Sequence, residues 1–228
     1  MQDSTITEQV RQFYDEYHQH RVRVADFWMQ TVYWPALQGR TLEVGAGTLF
    51  PQRECYTLVD ISCEAAARAT AHSISALVAD GMNLPFFDGA FDTVACYDVL
   101  EHCADASVFL VELCRVSASR VVVAGPNWVG PHQGGLDRHL PLRLWSFLTG
   151  SGKSCFIRED PYLTFDDNWF PDRDALCAPN AGWVAGQLKA FGFRTRCLRS
   201  WEWGYRWLNY LPGVRCLGPF MFVMGERG

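Results

Sequence analysis

Long apolar runs are the first thing this chain lacks. None of its 228 residues belongs to an uninterrupted hydrophobic stretch of the ~18 residues that a membrane helix needs, so no membrane span is expected. Met1-Gln2-Asp3-Ser4-Thr5 also lacks the basic and then apolar profile of a secretory leader, which makes the cytoplasm the expected location. Paired cysteines are missing too. The nine cysteines stand at 55, 63, 96, 103, 114, 155, 177, 197 and 216, an odd number without a CxxC step. That pattern argues against a disulfide framework and against zinc, and for reduced, packed thiols with no metal site. An excess of positive charge is absent: 20 Lys and Arg face 25 Asp and Glu for a net charge of -5. A protein built to grip a phosphate backbone needs the opposite balance, so no nucleic-acid partner is expected. There is no internal repeat and no low-complexity segment, which removes solenoids and disordered linkers.

What is present is an alternation. The length suits one domain with a substantial core. From Thr5 to about Leu37 the spacing predicts two helical pieces, one with Val10, Phe13, Tyr14 and Tyr17 on a face, the other with Val24, Phe27, Trp28 and Val32 and ended by Pro35. Buried strands are expected at Thr41–Val44, Tyr56–Val59, Ala76–Ala79, Phe91–Tyr97 and Arg120–Ala124. Helices are expected between them at Cys63–His72, after the N-cap residue Ser62, and at Ala106–Val116. Strands and helices in that order give a parallel sheet. The stretch from Asn127 to about Asn180 is rich in Gly, Pro, Trp, His and Asp, and suits an insertion or lid at the sheet's carboxyl edge. A helix at Trp183–Phe191 and strands at Arg194–Trp201 and Pro219–Met224, the latter two as an antiparallel hairpin, close the pattern. The expectation is a Rossmann-like, mostly parallel seven-stranded α/β sheet with helices on both faces. One domain over 1–228 would comprise a helical cap (1–38), a core (39–126), the insertion (127–180) and a closing helix with strands (181–228).

Leu42-Glu43-Val44-Gly45-Ala46-Gly47 lies where the first strand ends. Glycines there let the chain turn sharply and bring bare backbone against a ligand. Asp60 ends the second strand, where a carboxylate can accept from both hydroxyls of a ribose. Asp80 ends the third, within reach of an adenine amino group. A dinucleotide fingerprint would want a third glycine where Phe50 stands and an acid about 20 residues on. Here only 15 residues separate Gly45 from Asp60, and Pro51 interrupts the interval, so the first crossover helix is expected to be cut to a turn or two.

Four ordered segments carry a family resemblance: Glu43-Val44-Gly45-Ala46-Gly47, then Asp60, then Asp80-Gly81-Met82-Asn83-Leu84-Pro85-Phe86, then Phe91-Asp92-Thr93-Val94 running to Val99-Leu100-Glu101-His102. From Thr41 to Asn127 the chain resembles the class I S-adenosylmethionine-dependent methyltransferases, in their ubiquinone-biosynthesis-like (type 11) branch. The resemblance implies S-adenosylmethionine as cofactor and a small molecule as acceptor, methylated at O, N, S or an activated carbon. It implies that Gly45 and Gly47 pack on the methionine part, with Glu43 near its ammonium group. Asp60, with Ile61 beside it, would hold the ribose; Asp80, Gly81 and Met82 would read adenine; Tyr97 would line the sulfonium. It does not extend to the acceptor region.

For that region the residues themselves suggest candidates. His102, and the carboxylate and imidazole of Asp137 and His139, are candidates for catalytic acid–base work, each against the alternative of a structural turn residue. Trp128, His132 and Trp203 are candidate acceptor-binding residues, because seven of the nine tryptophans stand at or after position 128, and so are Tyr14 and Tyr17, on a helix face that can close over the cofactor. Core or dimer packing is the alternative use of each, and a monomer or homodimer is expected. A cofactor-binding scaffold without turnover and an RNA methyltransferase are the competing functions. Asp92 is expected to terminate a turn rather than to touch ligand.

Overall fold

The computed structural model describes residues 2–20, 25, 27–103, 105–127, 179–198, 207–208, 210–211, 218 and 220–228. Among them seven strands form one sheet: β1 (Thr41–Val44), β2 (Tyr56–Asp60), β3 (Ser75–Val78), β4 (Phe91–Tyr97), β5 (Ser117–Pro126), β6 (Arg194–Cys197) and β7 (Phe220–Glu226). The order is β3-β2-β1-β4-β5-β7-β6. The first five strands run parallel, and β7 is antiparallel to both β5 and β6. The chain steps outward from β1 to β3 and then returns to lay β4 on the other side of β1. The order therefore reverses between β1 and β4, and in open α/β sheets ligands bind in the crevice at such a point.

Side-chain alternation divides the core. Leu42, Val44, Val94, Cys96, Val121 and Val123 pack on one face with Phe109, Leu110 and Leu113 of α4 (Ala106–Val116) and Val184 and Leu188 of α5 (Ala181–Ala190). Leu58, Ala95, Tyr97, Val122, Ala124 and Phe222 pack on the other with Trp28, Met29, Tyr33 and Leu37. All four residues of β1 are buried, with the polar Thr41 and Glu43 alternating with Leu42 and Val44. The helices start on the caps their sequences offer. Ser62 accepts from the Ala65 N–H to begin α3 (Cys63–Ala71), Asp105 accepts from Ser107 and Val108 to begin α4, and Asn180 accepts from Trp183 to begin α5.

Two local expectations are corrected. Pro35 does not end the N-terminal helical region: a π-helical turn at Met29–Tyr33 leads into α2 (Trp34–Ala36), where Pro35 occupies a first turn that does not demand its missing N–H. The helix stops when Leu37 turns extended. Second, residues 45–55, all described, contain turns only, so the first crossover has no helix. Cys55, at φ +56°, turns the chain back, and its carbonyl accepts from Thr41 N–H at 2.8 Å to start the β1–β2 pairing. The last two strands pair antiparallel as expected, β6 with β7, and β7 also pairs with β5, so the pair closes the sheet. The insertion expected between Asn127 and Asn180 lies outside the described residues except at its ends. There Asn127 accepts the Ala181 N–H at 3.2 Å and donates to the Gly218 carbonyl at 2.7 Å.

Candidate active site

The turn after β1 is held open by backbone geometry. Gly45 and Gly47 have φ of +76° and +59°, in the left-handed region that penalises a Cβ. A Cβ on Gly45 would lie 2.5 Å from a Val99 methyl, and one on Gly47 would lie 2.6 Å from Cε1 of His18. Gly45 N–H donates to the Val59 carbonyl at 2.7 Å, which pins the turn beside the end of β2. Gly47 N–H donates to Asp60 Oδ2 at 2.9 Å, and Ser62 N–H donates to Oδ1 at 2.9 Å. Asp60 is thus buried on a cradle of main-chain donors. Burial pushes its carboxyl up to about 6, against those N–H groups, while the nearby Asp15 charge pushes in the same direction as burial.

Glu43 stands one strand away and is fully buried. Its carboxyl oxygens accept from the Tyr33 hydroxyl at 2.9 Å and the Tyr56 hydroxyl at 2.5 Å. Burial raises it to about 7 in spite of both donors. The same burial, with Glu43 close by, drives both tyrosines well above their ordinary range. Tyr33 continues the cluster edge-on to Tyr97, 5.1 Å between ring centroids, at the carboxyl end of β4.

Asp80 closes its own loop by accepting the Met82 N–H at 2.8 Å. Gly81 is packed so closely on Phe109 and Val44 that a Cβ has no room. The segment that follows is latched from α4. Glu112 accepts the Leu84 N–H at 2.8 Å, and Arg115 donates to the carbonyls of Leu84 and Phe86 at 2.9 and 2.7 Å and to Asp88 at 2.9 Å. Over the other side of the crevice lies α1 (Gln2–His20). His18 is buried against Gly47, and Tyr14 stands edge-on to His102 with centroids 6.3 Å apart. His102 closes a 3-10 turn at Leu100–His102, its Nε2 3.6 Å from a carboxyl oxygen of the buried Glu101.

A bare-backbone turn, a buried strand-end acid and a second acid on the next strand thus meet at the point where strand order reverses. The methyltransferase domain family matches residues 42–123, the stretch that contains all of them. The fold is that of the class I S-adenosylmethionine-dependent methyltransferases. Over 61 residues the chain is 43% identical to the chloroplastic tocopherol O-methyltransferase of Arabidopsis thaliana, a segment amounting to 26% of this chain and 18% of that protein. Similar solved structures include a methyltransferase of Thermotoga maritima described as a possible histamine N-methyltransferase. It is 15% identical with TM-score 0.58, covering 97% of this chain and 99% of that one. A methyltransferase of Mesorhizobium loti is 16% identical with TM-score 0.56, covering 85% and 97%. The magnesium protoporphyrin IX methyltransferase of Synechocystis, with bound S-adenosylhomocysteine, is 16% identical with TM-score 0.50, covering 99% and 95%.

Within this methyltransferase fold the expected residues fall into groups. Gly45, Gly47, Asp60 and Ile61 gather at the ends of β1 and β2, and Asp80, Gly81 and Met82 follow β3. Glu43 and Tyr97 are present at the same edge but look inward, toward Tyr33. Tyr14, Tyr17 and His102 come together across the crevice, with Tyr14 and Tyr17 6.2 Å apart. Asp92 lies at the opposite end of the sheet, where it accepts the Arg40 N–H at 2.8 Å, as a turn-terminating residue should. Asp137, His139, Trp128, His132 and Trp203 lie outside the described residues. Tyr33, Tyr56, Asp15, His18, Glu112 and Arg115 went unnoticed in the sequence, since each reaches the crevice through a docking partner distant along the chain. The placing of Tyr14 and Tyr17 on one helix face was the sequence signal that this face of α1 would meet the site.

Proposed function

We propose that this chain transfers a methyl group from S-adenosylmethionine to a small-molecule acceptor. The observation that carries this reading is Asp60, buried at the strand-order reversal with its carboxylate oriented by Gly47 and Ser62 N–H groups. The crevice suits such a cofactor: the two glycines leave backbone bare, and Asp60 retains further lone pairs for a ribose diol. When bound, the cofactor supplies an electrophilic methyl on a sulfonium. Gly45 and Gly47 give its methionine part close approach, Asp60 and Ile61 hold the ribose, Asp80, Gly81 and Met82 recognise adenine, and Tyr97 with Glu43 borders the methionine end.

Displacement at a methyl carbon gains most of its rate from alignment, so the chain's main task is to hold an acceptor in line about 3 Å from that carbon. Tyr14 and Tyr17 form the described part of the acceptor wall, and Trp128, His132 and Trp203 are the further candidates for acceptor binding. His102 faces that wall and, backed by Glu101, receives the proton of an acceptor that arrives protonated. Asp137 and His139 form the alternative base. The cytoplasm is the expected location, and the acidic balance favours a small acceptor over RNA.

The test is calorimetric titration with S-adenosylhomocysteine, followed by a methyl-transfer assay over phenolic, amine and thiol acceptors. The phenols and amines come first because relatives are named for a tocopherol and a histamine. Binding with transfer is the expected result. Absence of binding overturns the proposal; binding without transfer across the panel favours a cofactor-binding scaffold.

A further inference from the structure

Asp15 carries no role in the scheme above, yet its carboxylate ties α1 to the segment after β2. Its Oδ1 accepts the Ser62 hydroxyl at 2.6 Å and the Glu64 N–H at 3.0 Å. Ser62 is itself the N-cap of α3, accepting from Ala65 N–H at 3.1 Å, and it donates its own N–H to Asp60. Two carboxylates therefore grip one residue, Asp60 through the main chain and Asp15 through the side chain. Both lie at the positive end of α3, which favours them there. Asp15 also sits between Tyr14 and His18 on α1. The same short stretch of helix thus touches the turn after β1 through His18, the end of β2 through Asp15, and the turn after β4 through Tyr14.

We propose that Asp15 is a positioning residue that registers α1 on the cofactor loops, so that the acceptor-facing wall of Tyr14 and Tyr17 assembles over an ordered Asp60–Ser62 segment. This rests on the cofactor crevice proposed above. A ligand that fixes Asp60 fixes Ser62, and through Ser62 the acceptor of its hydroxyl on α1. The coupling is reciprocal, so a docked α1 tightens the cofactor site by the same factor. Cofactor and acceptor binding then strengthen one another through α1.

Hydrogen exchange of the α1 amides, measured with and without saturating S-adenosylhomocysteine, tests this in the full chain. In the unaltered protein the ligand should slow exchange both in residues 45–49 and 60–64 and in α1. Asp15→Ala should lose the α1 response while keeping that of the two loops, and should weaken ligand binding roughly three- to tenfold, the scale of one hydrogen bond. Asp15→Asn, which keeps an acceptor oxygen, should restore most of the α1 response. Glu8→Gln, which loses only an exposed pair with Arg11, should behave as the unaltered chain. A full α1 response in Asp15→Ala overturns the inference alone. Failure of the unaltered protein to bind S-adenosylhomocysteine overturns the functional reading as well, and calorimetry separates the two results.

Discussion

The ends of β1 and β2 lie side by side, each with a buried acid that burial has pushed upward, yet the two are satisfied in different ways. Glu43 is met by two tyrosine hydroxyls, and Asp60 by two backbone N–H groups. A hydroxyl can donate to a carboxylate or accept from a carboxylic acid; an N–H can only donate. The Glu43 pocket therefore tolerates either charge state and works as a joint between β1, β2 and the π-helical turn. The Asp60 cradle favours the anion at the end of β2. Neighbouring acids in one sheet thus differ in who donates to them, hydroxyls that serve either charge state for Glu43 and main-chain N–H groups that favour the anion for Asp60.

The strongest way to break this comparison is Glu43→Leu. It strands two buried hydroxyls and should cost about 3–5 kcal/mol of unfolding free energy in urea titrations. A loss under about 1 kcal/mol would mean the tyrosines find other acceptors. Asp60→Ala should act mainly on binding, weakening S-adenosylhomocysteine by roughly 1.5–3 kcal/mol, or about ten- to a hundredfold, by calorimetry. Unchanged affinity would take Asp60 out of the site.

A smaller effect is the pH dependence. Both acids have folded pKa values above their ordinary values of 4.5 and 3.8, at about 7 for Glu43 and about 6 for Asp60. The folded state therefore binds more protons than the unfolded chain between those limits. Their contribution to stability is greatest below the unfolded values and declines as pH rises through 6 and 7. Glu43→Gln should flatten that decline, by about 1 kcal/mol or more between pH 5 and 7.5, in urea midpoints followed across pH. Cofactor affinity should move the opposite way, falling as pH drops below about 6 and Asp60 takes up its proton. The smallest change is expected outside the pair. Arg115→Ala unlatches residues 84–88 and should cost about 1 kcal/mol, with faster exchange confined to that loop.

Much of the frame was legible in the sequence, because it follows from local periodicity and turn chemistry. Phe91–Tyr97 and Ala106–Val116 have the bounds their patterns imply, and the glycines that the turn after β1 seemed to need do adopt positive φ. Asp60 ends its strand as its apolar run suggests. The lost crossover helix was only half legible. Pro51 and the short interval announced a truncation, but the complete loss of helix across residues 45–55 shows only in the structure.

The sequence by itself determined the strands, the glycine turn and the acids at the strand ends, since a residue's period and conformational cost are set within a few positions of chain. Only the tertiary structure decided which donors each acid would have. Tyr33 comes to Glu43 by way of a π-helical turn, Asp15 and His18 come to the turns after β1 and β2 on α1, and Arg115 reaches the loop after β3 across some 30 residues. Such partners are chosen by which faces pack together, and no local pattern records that choice.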